Sequence, residues 1–76
     1  MNAVELRASQ MFIELAINTN NFFNMVSKET NKEVLETLRE MLTFSDFEQD
    51  QEDIELNMTA LPYVDHAIKN LDDMAN

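Results

Sequence analysis

Residues 45–56, SDFEQDQEDIEL, hold six carboxylates and no base: Asp46, Glu48, Asp50, Glu52, Asp53 and Glu55. Carboxylates at this density serve as a calcium loop, as a stand-in for a phosphate backbone, or as the wet side of a helix. Calcium fits poorly. Asp46, Glu48 and Asp50 match the first, third and fifth ligand positions of an EF-hand loop. The sixth position, which needs glycine for a sharp turn, is Gln51, and the twelfth, which needs a bidentate glutamate, is Asn57. Ser45 and Glu48 also form a capping box, which starts a helix where the loop would lie.

The remaining chemistry-bearing residues do not converge. His66 is the only histidine, with Asp65 beside it and no partner at helical spacing. Glu33, Glu36 and Glu40 share one helix face, but the Glu-x-x-His pair of di-iron bundles is missing. Ser9, Ser27 and Ser45 have no neighbouring base, and Ser45 is better explained as a cap. Without cysteine there is no thiolate metal site or disulfide, and without glycine no phosphate-cradling loop. No catalytic, cofactor or metal site is expected.

The elements that position these residues read as helices. Asn2 caps a first helix with Glu5 in its opening turn. Val4, Ala8, Met11, Phe12 and Leu15 make one apolar stripe, and Leu6, Ile13 and Ile17 a second strip beside it. Phe22 and Val26 continue the first stripe through NTNNFFN, so the helix is expected over 3–25, with a kink near Asn20–Asn21. Thr30 and Glu33 form a capping box that opens a helix over 30–43, whose inner face is Val34, Leu35, Leu38, Met41 and Leu42. A third helix is expected over 46–60, with Phe47, Ile54, Met58 and Leu61 inward. Ile54, Leu56, Met58 and Ala60 also alternate as a strand would, but such a strand has no evident partner. Pro62 ends or kinks that helix and stands in the first turn of a last one over 62–74, lined by Val64, Ala67, Ile68, Leu71 and Met74. Met11, Met41, Met58 and Met74 are placed inward, and one ring of Phe22–Phe23 near the surface.

These elements make a single all-α domain over 1–76, a small bundle of three to four helices. At 76 residues a monomer is near the lower limit for a self-sufficient core. Helix 1 is apolar over more than half its circumference, so a homodimer is expected through Leu6, Ile13, Ile17 and Phe22. The N-terminus lacks the basic head and apolar run of a secretory signal, and no apolar stretch approaches the ~20 residues that span a bilayer, so a cytoplasmic location is expected.

Charge is split between the halves. Residues 1–39 hold five acids and four bases, net -1; residues 40–76 hold ten acids and Lys69 alone, net -9. Direct binding to nucleic acid or to an anionic membrane is not expected, because both need a basic surface. A basic or nucleic-acid-binding protein fits the charge better. Carboxylates three or four residues apart on a helix lie ~6 Å apart, on the scale of successive phosphates along a nucleic-acid strand. In size, acidity and helix content the chain resembles small phage-encoded inhibitors, including DNA mimics and anti-CRISPR proteins; the resemblance is one of class, carried by no shared motif. It implies a non-enzymatic inhibitor whose six carboxylates meet a basic groove. The alternative is a regulatory or antitoxin-like adaptor that binds a protein through apolar helix faces.

Overall fold

A computed structural model of the chain describes residues 2–44 and 51–75. Those residues form four α-helices and no strand: α1 (Ala3–Ile17), α2 (Thr19–Lys28), α3 (Lys32–Thr43) and α4 (Gln51–Ala75). α3 packs on both α1 and α4, while α2 folds back on α1 and touches α4. The core is Ala8, Met11 and Leu15 of α1, Phe22 and Val26 of α2, Val34, Leu35, Leu38 and Leu42 of α3, and Ala60 and Val64 of α4. The radius of gyration, 12.0 Å, is near the ~11 Å of a compact domain of this length.

α1 starts as its sequence implies, the Glu5 amide donating to Asn2 Oδ1 at 2.8 Å. It does not run into the twenties. The break comes at Asn18, earlier than Asn20–Asn21, because this one residue serves both helices. Its extended backbone (φ -149, ψ 90) stops α1 while its N–H still donates to the Glu14 carbonyl. Its side chain accepts from the Asn21 amide at 3.1 Å, capping α2. The Thr19 hydroxyl closes the junction by donating to the Leu15 carbonyl at 3.0 Å. The chain turns here, so Phe22 and Val26 reach the core from a separate helix.

α3 starts one residue later than the Thr30–Glu33 box implies. Asn31 is the cap, accepting from the Glu33 amide at 3.0 Å. The Thr30 and Asn31 amides both donate to Glu29 Oε2, at 3.1 and 3.2 Å. The Glu29 carboxylate thus organises the turn, and asparagine caps at least as well as threonine. The expected Ser45–Glu48 box and Phe47 lie outside the described residues.

α4 differs most from expectation. Pro62 does not divide it; one 25-residue helix runs through the proline. Pro62 is exposed, and so is Met58, whose carbonyl is the one the proline leaves without an amide donor. Continuity also fixes one inward phase for the whole rod. Asn57, Ala60 and Val64 are buried, and Ala67, Ile68 and Leu71 follow in the same row, half-buried. Met58 sits six residues before Val64, about 120° away around a helix, and is therefore turned out with Ile54. Met74 is exposed as well, so of the four methionines expected inward only Met11 is buried and Met41 half-buried. The alternating stretch from Ile54 to Ala60 is helical.

Phe22 is fully buried, so it belongs to the core rather than to a dimer surface. Phe23 is the ring nearer the surface. It meets Phe22 edge-on at 5.5 Å and Tyr63 of α4 at 4.7 Å, tying α2 to α4. No helix among the described residues is long and apolar enough to cross a membrane.

Candidate functional site

Of the six carboxylates singled out by the sequence, Asp46, Glu48 and Asp50 lie outside the described residues, and Asp53 lies in the first turn of α4. Glu52 and Glu55 are exposed on α4, one turn apart. Gln51 and Asn57, the would-be sixth and twelfth positions of a calcium loop, are both helical, and Asn57 is buried.

The later acids of α4 divide by facing. Asp65 and Asp72 lie toward α3 and are engaged there: Arg39 Nε donates to Asp65 Oδ1, and Lys32 Nζ stands 2.7 Å from Asp72 Oδ1. They dock α4 onto α3. Asp73, like Glu52 and Glu55, is exposed. α3 adds a row that charge counting by segment did not single out. Glu33, Glu36 and Glu40 are exposed on its outer side, and Glu5, Glu33 and Glu40 line a cleft of about 440 Å³ between α1 and α3. The signal is present in their three- and four-residue spacing, which without a histidine partner makes no metal site. Among the described residues no three His, Asp or Glu side chains are placed to hold a metal ion.

A second groove, of about 450 Å³, runs between the end of α2 and the last turns of α4. Val26, Tyr63, Leu71 and Met74 supply apolar walls, and Lys28, Glu29, His66 and Asp73 polar ones. No buried side-chain polar atom among the described residues lacks a partner. No family model, curated protein or solved structure matches the chain. Any functional reading therefore rests on the molecule's own surface.

Lys32 of α3 pairs with Asp72 of α4 and with Glu36 of its own helix. The hydrogen bond to Asp72, then the charge of Asp72 and of Glu36, raise its pKa above the ordinary 10.5. A raised lysine pKa stabilises the fold fully below the unfolded value and loses that contribution as pH rises through the folded value. Urea midpoints should therefore put the native chain ahead of Lys32→Met at pH 9, and the gap should narrow when the measurement is repeated well above the ordinary lysine range. An equal gap at both would show that Lys32 charge does not hold α3 to α4.

Proposed function

We propose that this chain is a non-enzymatic protein-interaction module, a small acidic inhibitor that binds and blocks a nucleic-acid-handling protein. Its acidic surface, from Asp46, Glu48 and Asp50 through Glu52, Asp53 and Glu55, stands in for a phosphate backbone in a basic groove. The supporting observation is the charge split: net -9 over residues 40–76 against -1 over 1–39. Exposed Glu52 and Glu55 give that charge a helical frame. Fixed charge of one sign speeds encounter with a basic partner and rejects acidic ones. The same charge repels nucleic acid and anionic lipid, so the target is a protein.

Reversing Glu52 and Glu55 together to lysine should weaken target binding by at least ten-fold, about 1.4 kcal/mol. The fold should persist, since exposed substitutions stay within about 0.5 kcal/mol and the Thr59 hydroxyl bonds to the Glu55 backbone carbonyl, which the substitution keeps. Titration calorimetry of both proteins against the captured target, with circular dichroism of each, reads the two quantities separately. Undiminished affinity in the folded double variant would return these glutamates to the role of a solvated helix surface.

The exposed Phe44, Met58 and Met74 favour the second reading, an adaptor that docks through apolar helix faces. Salt separates the two readings. Binding through carboxylates weakens steeply as ionic strength rises, and binding through these apolar side chains does not.

A further inference from the structure

We propose that α1 is the seam of a two-fold antiparallel dimer whose register sets Arg7 of each chain beside Glu14 of the other. The inference is independent of the inhibitor reading and concerns the near-neutral half of the chain. Leu6, Ile13 and Ile17 are 51%, 55% and 72% exposed, on the side of α1 opposite the buried Ala8, Met11 and Leu15. Ala3 and Gln10, also exposed, complete the row. The resulting order, Ala3–Leu6–Gln10–Ile13–Ile17, alternates three- and four-residue steps, which is the core row of a two-helix coiled coil. A helix carrying such a row on its free side is built to receive another helix.

The charges beside the row select both partner and direction. A second copy brings the same net charge of -10, so two chains can meet only where charge is nearly balanced, and residues 1–39 are that place. One flank of the row carries Arg7 and Glu14; the other carries only Asn2, Ser9 and Ala16. Arg7 and Glu14 are about 10 Å apart along their own helix, so they do not pair within one chain. Arg7 Nε bonds Glu29 Oε1 at 3.1 Å, and Glu14 accepts from Asn21 Nδ2 at 3.0 Å, which holds both side chains at the rim of the seam.

In a parallel pair this charged flank would face the uncharged one, with no complementarity. In an antiparallel pair, like flanks face each other, and three registers interleave the core rows. The one that sets Ile13 against Ile17 brings Glu14 against its own copy and leaves Leu6 uncovered; two remain. One sets Leu6 against Gln10, brings Arg7 against its own copy and leaves Ile17 uncovered. The other sets Leu6 against Ile17 and Gln10 against Ile13, covers all three large apolar side chains twice, and pairs Arg7 with Glu14 at both ends. Only the last satisfies charge and burial together. Gln10 lowers the affinity of this seam, as a polar core residue does.

The chain has no cysteine, so engineered thiols report the register directly. Leu6→Cys and Ile17→Cys chains, each otherwise complete, are mixed at high concentration under mild oxidation. The antiparallel seam predicts disulfide-linked dimers in the mixture and far fewer from either variant alone, because two copies of Ile17 then lie about 16 Å apart. Equal linking by each variant alone would mean a parallel pair, and no preference in any combination would mean no seam; either overturns the proposal. Arg7→Glu should also raise the dimer dissociation constant about ten-fold, and Arg7→Glu with Glu14→Arg should return it to within about three-fold. Both variants lose the Glu29 contact, so restoration reads the interface alone. Failure of the double reversal to restore dimer would refute the assigned register.

Discussion

Phe22→Ala should remove most of the chain's stability. The ring is fully buried, and removing such a phenylalanine costs about 3–5 kcal/mol. Small domains have about 5 kcal/mol to lose. The loss here includes more than volume, since Phe22 orders Phe23 edge-on and Phe23 in turn packs on Tyr63. Truncation therefore loosens α2 from α4 as well as opening a cavity. Thermal unfolding followed by circular dichroism should fall by more than about 12 °C or lose its cooperative transition. Ile17→Ala, at an exposed position, is the matched control and should melt close to the native chain at low concentration. A Phe22→Ala variant melting within a few degrees of native would mean that the ring is not the centre of the core.

Pro62→Ala should do the reverse, stabilising the chain by about 2 kcal/mol. Proline inside a helix costs about 3 kcal/mol, because it withholds an amide from the carbonyl four residues back, here that of Met58, and crowds the preceding turn. Its restriction of the unfolded chain returns up to about 1 kcal/mol of that. Pro62 is exposed, so alanine sacrifices no core packing. The melting temperature should rise by roughly 8–16 °C. An unchanged or lower value would show that Pro62 contributes a contact or a bend that α4 needs. The Thr59 hydroxyl, which bonds the Glu55 carbonyl at 2.9 Å, marks the same turn as one where a side chain competes for backbone groups.

Both substitutions mark where the sequence was readable and where it was not. The all-α class follows from apolar spacing of three and four, and α3 from a single clean stripe. Local signals located α1 and its Asn2 cap as well. Asn18 was hidden among four asparagines between 18 and 24, any of which could stop a helix; only tertiary packing of Phe22 and Val26 decides which one does. At Pro62 the local rule was a strong stop, and it was outweighed by the continuous row from Asn57 to Leu71 packing against the other helices. That choice also re-phased the acidic segment's helix and turned Met58 to water. Of the site itself, the exposed strip of α1 was legible as Leu6, Ile13 and Ile17, while Phe22 was misplaced by assuming an unbroken helix. The outer glutamates of α3 were visible in spacing, but nothing in it showed that Glu33 and Glu40 open onto a cleft shared with α1.

The proposed inhibitor surface is tested most directly by competition. The chain is immobilised, the protein that it retains from host extract is purified, and the pair is challenged with a duplex DNA oligonucleotide across a salt series. A surface that occupies a nucleic-acid site predicts displacement by the duplex in proportion to its concentration, affinity that falls steeply between about 50 and 200 mM salt, and no retention by the Glu52→Lys/Glu55→Lys chain. A pair that survives saturating duplex, holds equally at high salt and forms with the double variant would contradict it.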